Sequence, residues 1–171
     1  MFKKLNLSLS EIDIANIKGD SEYDSSTFKQ FSITDKHYLI DLLSSKIRFA
    51  VLPHEVNITE ILHPGVSPHA DSWPTAMNFY FNATDDETCF WKEINPTDIT
   101  TKTGPTQFDN IKNLKNVGSF RANTGDCYLL DVGSIHSVKM NVPNTKRQIL
   151  RLSWYKFNFN QILHSFKILN G

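Results

Sequence analysis

The run Ala76-Met77-Asn78-Phe79-Tyr80-Phe81, followed after an acidic turn by Thr88-Cys89-Phe90-Trp91, decides the fold. Both are short and rich in aromatic and apolar residues, and polar Asn82 and Asp85-Asp86 separate them, which is the signature of buried strands joined by a turn. The same pattern recurs from Ile47 onward, with Pro, Gly, Asn and Asp between the runs. It predicts strands near 47–52, 56–62, 67–72, 75–82, 88–94, 117–122, 126–131, 135–140 and 147–155. So many short strands point to a mainly β sandwich or barrel with helices packed on its outside.

Outward from this block the signals change. Residues 2–9 alternate well enough for a further strand, an outer one. Residues 19–32 read as a polar loop. Thr34 can cap a helix running to about Ser45, with Tyr38, Leu39, Leu42 and Leu43 on one face. Asn160 to Leu169 carries Ile162, Leu163, Phe166 and Leu169 at helical spacing, predicting a short C-terminal helix. The Thr-rich stretch from Asn95 to Asn116 is the longest gap and reads as a lid or rim loop. No repeat or linker interrupts the chain, so residues 1–171 are expected to form one domain with its core at about 47–155.

Eighteen basic and eighteen acidic residues cancel, and no block of like charge occurs. That balance argues against a nucleic-acid partner and against an anionic membrane surface. Met1-Phe2-Lys3-Lys4-Leu5 resembles the start of a secretion signal, but Asn6, Ser8, Ser10 and Glu11 interrupt the apolar run that such a signal needs. With Cys89 and Cys127 in apolar or aromatic surroundings, buried free thiols and a cytoplasmic location are expected. The sequence leaves the oligomeric state open.

The residues that carry chemistry begin in Leu62-His63-Pro64-Gly65-Val66-Ser67-Pro68-His69-Ala70-Asp71. On a strand, positions two apart share a face, so His69 and Asp71 can present an imidazole and a carboxylate to one point. His136, heading the apolar run Ile135-His136-Ser137-Val138, can supply a third ligand. Two His and one carboxylate with three open positions suit non-haem Fe(II). Taken alone, a His-x-Asp triplet more often reflects a hydrogen-bonded histidine beside an acid. His63 reads as a turn residue, and His37, His54 and His164 as ordinary surface or helix residues.

The order Pro64-Gly65, His69-x-Asp71, Ala76–Phe81, Thr88–Trp91, Gly125–Asp131, His136 and Lys146-Arg147-Gln148-Ile149-Leu150-Arg151-Leu152-Ser153-Trp154 resembles the Fe(II)/2-oxoglutarate-dependent dioxygenases of the double-stranded β-helix fold. The likeness covers about Asn57 to Tyr155. It implies a cupin-like jelly roll, an iron site at His69, Asp71 and His136, and 2-oxoglutarate as co-substrate. It also implies an Arg about ten residues after the distal histidine to hold the far carboxylate, and Arg147 stands eleven residues after His136. A guanidinium fork can make two parallel bonds to such a carboxylate. Arg151 follows on the same face, roughly 13 Å further at about 3.3 Å per residue. It is the competing anchor, a substrate contact or a rim ion pair. Asn78, Tyr80 and Trp91 compete as partners for the other co-substrate carboxylate, with plain core packing as the alternative for each.

The implied activity is hydroxylation of a small molecule or an amino-acid or peptide side chain, with the 19–32 and 95–116 segments choosing the substrate. Two rival classes remain. One is a cupin-like metal-binding protein or isomerase working without 2-oxoglutarate, for which Arg147 has no required role. The other is a metal-free β-sandwich binding module, in which the three ligands are incidental.

Overall fold

The computed structural model describes residues 1–9, 17, 19–83, 85–95, 106–108 and 111–169. In chain order the elements are β1 (Phe2–Leu5), β2 (Gly19–Asp24), β3 (Phe28–Ile33), α1 (Lys36–Lys46), β4 (Ile47–Phe49), β5 (Glu55–Leu62), β6 (Gly65–Ala70), β7 (Thr75–Asn82) and β8 (Asp86–Glu93). They continue with β9 (Thr106–Gln107), a 3-10 turn at Ile111–Asn113, β10 (Leu114–Phe120), β11 (Cys127–Asp131), β12 (His136–Met140), β13 (Lys146–Trp154), α2 (Phe159–Leu163) and β14 (Phe166–Ile168).

Two antiparallel sheets face each other. One has the order β1-β11-β7-β13-β5-β3-β2 and the other β10-β8-β12-β6-β9. From β5 to β8 successive strands alternate between the sheets, and β10 to β13 repeat the alternation, so that β11-β7-β13-β5 lies over β10-β8-β12-β6. This is a jelly roll, the double-stranded β-helix, and the expected mainly β, cupin-like architecture is what the chain adopts.

Period-two alternation sorts the side chains into layers. Met77, Phe79, Leu150, Leu152 and Trp154 lie on the outer face of the larger sheet and pack with Leu39 and Leu43 of α1 and Ile162 of α2. Ala76, Tyr80, Leu130 and Ile149 lie on the opposite face and pack with Phe90 of the facing sheet. The neighbours of these inward residues on β7 and β13 are polar, Asn78, Arg147 and Arg151, and that polarity inside a barrel marks the site.

Several expectations need correction. Residues 19–32 are not a loop but mostly a hairpin, β2 with β3, added to the edge of the larger sheet through β3–β5 pairing. Phe31 and Ile33 share one face of β3, with Ile33 in the outer core, while Phe28 lies on the opposite face toward the cavity between the sheets. The α1 helix starts one residue later than proposed, because Asp35 rather than Thr34 accepts the Tyr38 amide as N-cap. The expected helix over 160–169 is cut to the single turn and a half of α2, which the Asn158/Gln161 capping box opens. Beyond it Phe166–Ile168 pairs with β4 as a strand. In the 95–116 stretch, residues 96–105 and 109–110 lie outside the described residues. The described part joins the smaller sheet at β9 and supplies the first residues of β10.

β1 lies at a sheet edge against β11, as expected of an outer strand. Cys89 and Cys127 are buried free thiols. No helix among the described residues is long and apolar enough to cross a membrane.

Candidate metal centre

β6 and β12 are neighbours in the smaller sheet, and their register sets His69 directly opposite His136, with ring centroids 4.3 Å apart. Gly65 makes this pairing possible. A Cβ at that position would lie 2.1 Å from the Val138 carbonyl oxygen, and the backbone there has φ +111°, so only glycine fits. Asp71 lies just past the end of β6, where its amide donates to Val132 O at 2.9 Å. The three side chains offer donor atoms that all lie within 4.8 Å of one another.

Each imidazole is oriented by its own backbone. His69 Nδ1 lies 2.8 Å from Ser67 O and His136 Nδ1 3.0 Å from Ser134 O. A carbonyl can only accept, so Nδ1 carries the proton and the Nε2 lone pair turns toward Asp71, the tautomer and aim that a metal requires. His69 Nε2 is 3.4 Å from Asp71 Oδ1 and His136 Nε2 is 4.0 Å from Oδ2. Adjacent donors about 2.1 Å from a divalent ion stand about 3 Å apart, so small inward shifts complete the set.

The charges also fit a cation. Burial, with nearby His69, pushes His136 down to about 4, so its ring is neutral and able to ligate at neutral pH. For Asp71, burial would raise the carboxyl, but the Arg151 guanidinium and the two imidazoles hold it well below the usual carboxylate range. Arg151 Nη2 donates to Asp71 Oδ2, and its guanidinium lies 5.0 Å over the Trp73 ring. Of the roles proposed for Arg151, the structure places it in an ion pair with a ligand carboxylate.

Behind the triad a cavity of about 50 Å³ runs between the sheets, lined by His69, His136, Arg151, Asn78, Thr88 and Arg147 among others. Arg147, 2 % exposed, is part of its lining. Its Nη1 donates to Thr88 Oγ1 at 2.9 Å, its Nε lies 3.2 Å from Asp86 Oδ2, and its guanidinium sits 4.4 Å over the Tyr80 ring. Asn78 and Tyr80 share the inward face of β7. Trp91 does not: it points to the outer side of the smaller sheet, where Nε1 donates to Ser137 Oγ at 2.9 Å. It leaves the set of co-substrate candidates because it alternates with inward Phe90.

Sequence reasoning missed Asp86. It sits in an acidic turn indistinguishable by composition from a solvated one, yet its side chain is fully buried against Arg147. Among the described residues neither of its carboxylate oxygens makes a well-aligned hydrogen bond, and buried Asn78 Oδ1 and Tyr80 OH lack one too. Buried polar atoms left unpaired cost stability, so a cluster of them beside a cavity suits a polar ligand.

No family model matches the chain, and no curated protein matches it in sequence. Solved structures do match in three dimensions. The structure of ycfD from E. coli superposes with a TM-score of 0.53 at 12 % identity, over 85 % of this chain and 39 % of that one, so this chain spans well under half of its length. Fainter likenesses include HygX from Streptomyces hygroscopicus with nickel and 2-oxoglutarate bound, at TM-score 0.49, 9 % identity and 92 % and 84 % coverage. Vicilin from Corylus avellana gives 0.43, 11 % identity and 87 % and 32 % coverage. At such identities the likeness to ycfD establishes the fold alone: this chain is a cupin-like jelly roll, with His69, Asp71 and His136 grouped closely enough that they could hold a metal ion.

Proposed function

We propose that the protein is an Fe(II)- and 2-oxoglutarate-dependent oxygenase that hydroxylates a small molecule or an amino-acid or peptide side chain. The observation that carries this reading is the pairing of a two-histidine, one-carboxylate group with a buried arginine, Arg147, that lines the same cavity as both histidines. In such a site Fe(II) with 2-oxoglutarate supplies dioxygen activation for insertion into a C–H bond.

The chain's own part is positioning. His69, Asp71 and His136 would hold the metal, with Ser67 O and Ser134 O fixing the two rings. Arg151 keeps Asp71 ionised and aligned. Arg147 and the Thr88 hydroxyl would take the distal carboxylate, in a space where apolar Leu130, Val138 and Ile149 exclude water. Asn78 and Tyr80 offer further polar atoms beside that position. Phe28 of the β2–β3 hairpin reaches the cavity wall, so this hairpin, rather than a loop, is the piece available for choosing substrate.

Anaerobic titration of the protein with Fe(II) and then 2-oxoglutarate tests the reading. A weak visible charge-transfer band is expected for wild type and is lost in Arg147→Ala, while Fe(II) binding alone is retained in that variant. Absence of the band in wild type overturns the assignment. A band lost only in Arg151→Ala, with Fe(II) binding unchanged, makes Arg151 the anchor.

One observation favours a second reading. Arg147 already faces the Asp86 carboxylate, so its charge is partly compensated without any ligand. A cupin-like metal protein acting without 2-oxoglutarate would bind the ion with the same triad and show no response to the keto acid.

A further inference from the structure

The Arg147–Asp86 pair is incomplete in a specific way. Both groups are buried, their nearest contact is 3.2 Å, and among the described residues neither Asp86 oxygen makes a well-aligned hydrogen bond, while Arg147 donates Nη1 to Thr88. A further carboxylate reaching Arg147 would place two anions against one guanidinium away from water. Neighbouring carboxylates in such a site do not both stay ionised.

We propose that Asp86 is a ligand-binding residue of this site, which takes up one proton when a carboxylate docks on Arg147 and then donates its new O–H within the carboxylate subsite. This rests on the reading of Arg147 as the distal-carboxylate anchor and adds to it a residue and a proton. The proton comes from solvent, and no bond other than that O–H forms. Protonation turns a carboxylate that only accepts into a group that can donate, which is what a buried anion beside it lacks.

The surroundings of Asp86 agree. Arg147 faces it from β13 and Tyr80 from β7, while β12 sets apolar Met140 opposite it. Asp85, its exposed chain neighbour, pairs outward with Arg121. Burial already raises the Asp86 carboxyl above the ordinary aspartate range, against the pull of Arg147. Among the two acids that would share the guanidinium, Asp86 is therefore the one ready to hold a proton.

The test is calorimetry of 2-oxoglutarate binding to the Fe(II)-loaded protein without oxygen, in buffers of different ionisation enthalpy, from about pH 6 to about pH 9. 2-Oxopentanoate, a keto acid of the same length without the distal carboxylate, serves as the reference ligand. Wild type is expected to take up protons with 2-oxoglutarate, rising toward one per ligand with pH, and none with 2-oxopentanoate. Its affinity for 2-oxoglutarate should fall about tenfold per pH unit above the pKa of Asp86 in the ligand-free protein. Asp86→Asn should bind without proton uptake and with a flat pH profile. The wild-type comparison of the two keto acids stands even where this variant does not fold. Binding of 2-oxoglutarate with no proton uptake up to about pH 9 overturns the role of Asp86 and leaves the oxygenase reading intact. No binding by wild type at any pH removes both.

Discussion

His136 is a buried imidazole kept neutral, and that has a measurable cost in acid. Its folded pKa is pushed from 6.5 to about 4 by burial first and His69 second. The unfolded chain therefore binds a proton over a window in which the folded one does not, and metal-free protein should lose stability as pH falls from 6.5 toward 4. The slope is at most about 1.4 kcal/mol per pH unit. Thermal unfolding across that window checks it. His136→Gln should flatten the profile, and a bound divalent ion should shift it, since the ion competes with the proton. Among single residues, the triad was legible in the sequence because His-x-Asp on a strand and a histidine heading a later strand are local patterns. The partners were not. Arg151 was read on the same face as Arg147, but its bond to Asp71 depends on how distant strands pair, and Asp86 has no motif at all.

At the scale of elements, the β6–β12 pair is what brings two ligands together, and Gly65 is its weak point. Gly65→Ala would force a Cβ into the Val138 carbonyl and a positive φ onto a residue that disfavours it. The expected result is a lower unfolding temperature and much weaker divalent-ion binding, measured by titration, although the substitution lies four residues from His69. A milder change away from the site gives the contrast. Asp35→Ala removes the α1 cap and should cost about 1 kcal/mol without altering ion affinity. Strand existence was read well where aromatic and β-branched residues cluster, and β7 has the bounds that its sequence suggested. Reading failed where side chains are polar but the backbone is still paired, as in β2. It failed again at the C-terminus, where helical spacing of Ile162, Leu163 and Phe166 served one short helix and then a strand.

Across the whole molecule, the two sheets are covered unequally. The larger carries α1, α2 and the β4–β14 pair on its outer face, and its central strands β7 and β13 hold fully buried Met77, Leu150, Leu152 and Trp154. Amides of β7 and β13 should exchange with solvent only through global unfolding, while those of the short β9 and β14 exchange through local opening. Native-state hydrogen exchange followed by mass spectrometry distinguishes the two classes. The mainly β class was legible from strand number and spacing, and the jelly roll from the family resemblance. Strand order was not, since it depends on pairings between segments far apart in the chain.

The opposition of His69 and His136 across β6 and β12 also bears on how the chain folds. These ligands are 67 residues apart in sequence and meet only when strands from the two halves of the roll pair. Contacts of that separation are slow to form, because the loop between them must close first. A divalent ion bound by these residues would therefore find them assembled at the end of folding and would not nucleate it. In stopped-flow experiments, added ion should slow unfolding and leave the refolding rate nearly unchanged. An ion that speeds refolding would mean that β6 and β12 meet early. On this account the metal acts as a latch on the finished roll.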